Sequence, residues 1–265
     1  MGNHPEEEVD GENPMHTDVY DFVDILKAAE KARTQFGSRP WYRGQDLDRP
    51  DWKLRPSIYR TEYTRRREKG LLQDFMLRAG SRYESCPRED QPGKWLALMQ
   101  HHRLPTRLLD WTESILVATF HAVQPPTGLE VEGDGVIWAL YPRRLNEVAV
   151  QDSSFYMLSG SFIRQNLLAP AFSGKEGSPA ILAVLAHEVH PRMMAQQSVF
   201  TIHGSPTPLE EIQRHDEFLM KILVHQNAKA KIREDLRSLG IRLATMFPDL
   251  DHLADDLAEG PEGWH

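Results

Sequence analysis

The chain of 265 residues carries 31 Lys and Arg against 39 Asp and Glu, a formal charge of −8, with 40% hydrophobic and 26% charged residues. That balance belongs to a globular chain able to bury a core unaided, and its acidic total argues against sequence-blind coating of DNA. The lone Cys86 excludes a disulfide scaffold and a thiolate zinc cluster and fits a reducing, cytoplasmic setting, while no apolar run approaches the ~20 residues of a membrane span and no leader segment is expected at the N-terminus.

Residues 1–16 read as a disordered acidic tail. Glu6, Glu7, Glu8, Asp10 and Glu12 leave too little apolar surface to offset the entropy of ordering. Residues 17–260 read as one folded domain. Thr17 or Asp18 is expected to cap a helix with the stripe Phe22, Ile25, Leu26, Ala29 and Phe36, ended by Gly37 and Pro40. Trp41-Tyr42-Arg43-Gly44-Gln45 reads as a strand, and residues 46–57 as irregular. Arg60, Arg65, Arg66 and Arg67 form a basic knot, most simply a solvated helix face. Leu71, Leu72, Phe75, Met76, Ala79 and Tyr83 predict a helix with one buried face. After a loop over 84–93, Trp95, Leu98, Met99 and His102 predict another helix, which Pro105 stops.

Arg107–Thr112 reads as extended, with Thr112 capping a helix through Ile115, Ala118, Thr119 and Ala122. Pro125 to Gly135 reads as a surface loop. Val136–Tyr141, Ala180–Ala186, Val199–Ile202 and Phe218–Val224 read as strands. Two helices close the chain, one around Ile232, Leu236 and Leu239, the other starting at Pro248 and burying Leu250, Leu253 and Leu257. There is no internal repeat. The pattern predicts a single α+β domain, with N-terminal helices packed on a mixed or antiparallel sheet drawn mostly from the second half.

The chain has no phosphate-cradling Gly-rich loop, no His-Glu-x-x-His and no Gly-x-Ser-x-Gly. Two segments place polar groups among apolar ones. An arginine inside the aromatic run at 41–45 is costly unless an anion or carbonyls meet its fork. Arg43 is therefore either a ligand grip or a clamp on a carboxylate such as Asp110, and Gly44 would admit a ligand or another backbone. The second segment, His101 to Thr112, gathers two histidines, two further cations, a carboxylate and two hydroxyls. Its imidazoles titrate near neutrality, and Arg107 could pair with Asp110 across the turn. Adjacent helical side chains diverge by about 100°, so His101 and His102 are poor partners for one metal ion, and no metal is expected. His187 and Glu188 fall on opposite faces of a strand end, and Gln196, Gln197 and Ser198 could line a pocket.

Taken together, Tyr42-Arg43-Gly44-Gln45, Leu54-Arg55-Pro56-Ser57 with Arg60, and the run His101-His102-Arg103-Leu104-Pro105-Thr106-Arg107-Leu108-Leu109-Asp110-Trp111-Thr112 resemble the FRG domain. Arg192 with Gln196–Thr201, and Leu239-Gly240-Ile241 with Met246–Asp251, extend the likeness from about residue 20 to 258. Arg103 and Ser198 stand where that family more often has glycine. Its members occur as standalone bacterial proteins suspected of roles in toxin or anti-phage systems.

A more distant similarity is to ADP-ribosyltransferases, one branch of which opens its NAD site with a hydrophobic-Tyr-Arg-Gly strand. That resemblance implies a split sheet and an NAD substrate. It implies Tyr42, Arg43, Gly44, Gln45, Arg107, Thr112 and Phe200 at the ligand, and Arg43, His102, Asp110 and Gln197 in catalysis. The strand Gln196–Ile202 would stand where such enzymes place an acid, yet Gln196, Gln197 and Ser198 are neutral. An amide in place of a carboxylate costs a few kcal/mol, about 100-fold in rate, at an oxocarbenium-like ribose. The expected function is a cytoplasmic, NAD-dependent ADP-ribosyltransferase-like effector acting on a macromolecular target, with an antitoxin or regulator as partner. The alternative is a non-catalytic module sensing a nucleotide, nucleic acid or protein. A third reading is a hydrolase with His101 or His102 as base and Asp110 as orienter.

Overall fold

A computed structural model describes residues 15–60, 65–125, 133–173, 175 and 177–259. Residues 1–14 of the expected acidic tail and most of the Pro125–Gly135 loop lie outside it; Met15 and His16, the last two of that tail, are described, and His16 opens a strand.

Strands β1 (His16–Val19), β2 (Trp41–Gln45), β3 (Leu108–Thr112), β4 (Gly135–Leu140), β5 (Tyr156–Met157), β6 (Ile181–Leu185), β7 (Ser198–His203) and β8 (Leu219–Val224) form one sheet. Their order is β1-β8-β4-β2-β3-β7-β6-β5. The two outer pairs, β1/β8 and β5/β6, are parallel and the inner pairs antiparallel, so the chain is an α+β domain on a mixed sheet. Apolar residues on both faces bury it. Along β3 and β7, Leu109, Trp111 and Val199 join one core with Ile137, Ala139 and Ile222. Their neighbours Leu108, Phe200 and Ile202 join the other with Leu96, Leu168, Leu182 and Val184. Period-two alternation does this sorting.

Helices α1 (Phe22–Phe36), α4 (Ile115–Ala122) and α7 (Gln226–Ser238) supply the first core through Ile25, Ala28, Ala32, Ala118, Ile232 and Leu236. Helices α2 (Arg65–Ala79) and α3 (Pro92–His101) meet each other through Leu72, Trp95, Leu98 and Met99. Chain order adds α5 (Pro142–Val150), α6 (Pro191–Ala195) and α8 (Leu250–Glu259). α4 lies unusually close to the sheet. A Cβ on Gly44 would sit 1.9 Å from the Ala118 carbonyl oxygen, and one on Gly135 would sit 2.3 Å from that of Ala122. Gly44 thus serves a close backbone approach, made by a helix.

Several expectations are corrected. Thr17 and Asp18 lie in β1, whose backbone groups pair with the otherwise open edge of β8. Asp21 caps α1 instead, accepting from the Asp24 amide at 2.8 Å, and Leu26 is exposed while Ala28 and Ala32 are buried. Ser114, not Thr112, caps α4. The Thr112 hydroxyl accepts from the Ser114 amide at 3.0 Å and donates to the Gln196 carbonyl at 2.7 Å, which fixes the turn before the helix. The last helix forms, yet Leu250, Leu253 and Leu257 face solvent, since no described element packs over that stripe. Arg65–Arg67 open α2, and their side chains lie outside the described residues.

Candidate functional site

The sheet has a seam. β2 pairs with β4 at five positions and β3 pairs with β7 at five, but β2 meets β3 only where Tyr42 faces Thr112. Arg43 crosses this seam. Its Nη1 donates at 2.8 Å to the main-chain carbonyl of Asp110, and its Nε is buried with no hydrogen-bond partner. The Asp110 carboxylate is held separately. Oδ2 accepts from Gln100 Nε2 at 2.6 Å, and Gln100 Oε1 accepts from the Thr106 hydroxyl at 2.5 Å. Among the described residues Arg43 forms no salt link to a carboxylate.

Hollows open on either side of that bridge. One, of about 270 Å³, is lined by Gln100, His101, Asp110, Arg192, Gln196 and Phe200, among others. The second, of about 370 Å³, is lined by Arg43, Gln45, Asp46, Trp52, Arg60 and His121, among others. Arg192 lines the first hollow and Arg43 and Arg60 the second, so the two together form an arginine-rich cleft divided by that bridge in an acidic chain. Among the described residues none of these arginines has a carboxylate within ion-pair distance. Arg60 Nε donates to the Arg55 carbonyl at 3.2 Å, and Arg192 lies 4.2 Å over the Phe247 ring. Asp46 borders the second hollow, and its main-chain carbonyl accepts from Lys229 Nζ at 2.6 Å.

The electrostatics record the crowding of like charges. Burial lowers the pKa of Arg43; the charge of Arg60 adds to this and that of Asp110 opposes it. Burial does the same for Arg60, with Arg55 adding, and for Arg192, with Arg103 adding. Arginine stays a cation through such shifts, so the cleft is under-neutralised at neutral pH. Burial, then Arg43 and Arg192, push His121 down to about 4. Burial and the neighbouring His190, His102 and Arg192 hold His101 at about 4 as well.

Of the residues expected at the ligand, Arg43, Gln45 and Phe200 border the hollows, as does Asp110, expected in catalysis, and Gly44 reaches the second hollow with its backbone against α4. Gln45 is partly committed, donating to the Trp52 carbonyl at 3.2 Å and accepting from Trp138 Nε1 at 2.9 Å. Tyr42 alternates away from Arg43 into the core, where burial raises its hydroxyl to about 12.

Arg107 is a correction. It pairs with Glu68 of α2 rather than Asp110, through Nε at 3.0 Å and Nη2 at 2.5 Å, and it also donates to the Leu167 carbonyl. Both side chains are buried, at 3% and 1% exposure. Burial works to lower the Arg107 pKa, but the Glu68 hydrogen bonds and charge leave it raised.

Gln197 lies outside the cleft lining. Its φ of 45° is left-handed, its side chain is exposed, and its carbonyl accepts from the Glu113 amide. Gln196 and Ser198, on either side of it, face the hollow. His102 is an exposed C-cap of α3 packed edge-on to His101, with His190 stacked on His101 at 3.8 Å. Among the described residues neither His101 nor His102 bonds to Asp110, whose carboxylate goes to Gln100, so the base–orienter pair of the hydrolase reading is not assembled. Thr112 is buried in the turn described above. Glu188 is exposed beyond the end of β6.

Arg60 and Arg192 entered the sequence argument only as parts of motifs, and Gln100 and His121 not at all. A lone titratable residue in the apolar helix 115–122 is the available signal for His121. The family model described as the FRG domain matches residues 38–128, which include Arg43, Arg60, Gln100, Asp110 and His121 and exclude Arg192 and Gln196. No curated protein and no solved structure gives a significant match.

Proposed function

We propose that the cleft of this chain, whose residues 38–128 match the FRG domain model, binds the phosphates of a nucleotide of the NAD class and transfers ADP-ribose to a macromolecular target. One observation carries the reading. Arg43 and Arg60 in one hollow and Arg192 in the adjoining one have no carboxylate within ion-pair distance among the described residues, and Arg43 Nε is buried unpaired. Planar guanidinium forks suit phosphate oxygens, and a desolvated cation left unsatisfied gains most from an arriving anion. Asp110, oriented by Gln100, would then accept from ribose hydroxyls. In the transfer the bond from C1′ to the nicotinamide nitrogen breaks, its electron pair leaves with nicotinamide, and a nucleophile of the target bonds to C1′. The Asp110 carboxylate would balance the charge that develops on the ribose. An effector of toxin or defence type, held in check by a regulator, fits this chemistry.

Titration of the purified chain with NAD and ADP-ribose, read by thermal shift and by nicotinamide release, tests it. Ligand at 100 times its dissociation constant should add about 2.7 kcal/mol of stability. Arg43→Gln should lose that gain while the ligand-free protein still melts cooperatively. Asp110→Asn should keep binding and lose nicotinamide release. Absence of any ligand shift would sink the proposal. A second reading, a sensing module without turnover, draws on one feature. The β7 edge offers Gln196 and Ser198 rather than an acid, and Gln196 Nε2 is spent on the Met246 carbonyl at 3.1 Å. Stabilisation by ligand without nicotinamide release would select that reading.

A further inference from the structure

We infer that His121 is a fourth ligand for the anion in this cleft and takes up a proton as the anion binds. The inference rests on the nucleotide-phosphate reading above and adds a residue and a regulation to it. His121 occupies the last turn of α4, where the carbonyl end of the helix favours a cation. Its side chain lines the same hollow as Arg43 and Arg60. The ring packs edge-on to Phe120 at 5.4 Å and Phe247 at 6.3 Å, and among the described residues its nitrogens make no hydrogen bond.

The charges that lower its pKa, after burial, are those of Arg43 and Arg192, and the one acid lining its hollow is Asp46. Arg43 faces it from β2, Arg192 from α6, and Arg60 shares its hollow. In the empty cleft those cations and burial keep the imidazole neutral. A pyrophosphate seated among the arginines reverses the sign of that field, so the bound state favours the imidazolium and gains an ionic hydrogen bond. Protonation and anion binding are thereby linked. Affinity should fall by up to about tenfold per pH unit as pH rises toward the raised, ligand-bound pKa of His121, and level off above it.

Calorimetric titration with ADP-ribose, whose pyrophosphate charge is constant over the range used, tests this. Pairs of buffers with different ionisation heats, at about pH 5.5 and about pH 8, give the protons taken up per ligand, expected to approach one at the lower pH and zero at the higher. His121→Asn should abolish the uptake and flatten the dependence of affinity on pH, with urea unfolding confirming that the variant is folded. Wild-type binding without proton uptake would overturn the inference and leave the nucleotide reading intact. Uptake that survives His121→Asn would also overturn it. No binding of ADP-ribose at either pH would overturn both.

Discussion

Arg43 and Arg107 have similar chemical surroundings along the chain but different partners in space. Arg107 is spent on Glu68, and such a buried pair holds the fold because removing one member strands the other. Arg107→Met should therefore cost about 3–5 kcal/mol in urea unfolding, part of which returns in the double variant with Glu68→Gln. A loss near zero for the single variant would show that the pair does not carry stability. Arg43 has one carbonyl partner and one unsatisfied nitrogen, the profile of a group with binding capacity left over. The difference was not legible in the sequence. Glu68 lies 39 positions before Arg107, inside a charged stretch whose local pattern is that of a solvated helix face, and nothing in residues 107–110 says that the nearest acid is not the partner.

At the scale of elements, glycine placement separates two kinds of site. Gly44 has no room for a methyl group because the α4 backbone lies against it, whereas Gly70 in α2 has nothing within 4 Å of an added Cβ. Gly70→Ala should stabilise the protein by about 0.5–1 kcal/mol, the helix-propensity gain. Gly44→Ala should displace α4, which carries His121, and destabilise by an amount comparable to overpacking a core, about 1–3 kcal/mol or more. Thermal melts of the two variants shifting in the same direction would contradict this packing.

The inner strands β4, β6 and β8 are readable as apolar runs between turn residues, and β2 through its aromatic pair before Gly44. β1 is not, since His16-Thr17-Asp18-Val19 is polar and becomes a strand only by pairing with β8. Nor is the two-residue β5, or α5 with its polar composition. Arg103 follows α3 at φ 60°, a left-handed backbone position that favours glycine. Near 198 the left-handed residue is Gln197.

For the whole molecule, acid stability follows from a group deep in the sheet. His203 is fully buried, bonded through Nε2 to the Thr201 hydroxyl at 2.9 Å, and its Nδ1 has no partner. Burial, and secondarily Arg107, lower its pKa to about 3. The unfolded chain binds that proton near 6.5 and the folded chain does not, so stability is complete above that value and falls as pH drops toward 3. Between about pH 7 and pH 5 this residue alone should remove about 2 kcal/mol. Urea midpoints at the two pH values measure it, and His203→Gln should lessen the slope; an unchanged slope would exclude His203 as its source.

The fold class was legible because it needs only the order of helical and strand patterns. The cleft was legible in half, through Arg43 and Asp110 and the motifs around them, while Arg192 reaches it from a helix 149 positions beyond Arg43. The sheet also carries a mechanical asymmetry. Elsewhere its inner strands are joined by four or more rungs, but between β2 and β3 the sheet bonding comes down to one rung and one arginine strap. Shear along that line breaks the fewest sheet hydrogen bonds, so the two half-sheets are held in register there mainly by the apolar core they share, at the place where a guest would have to enter.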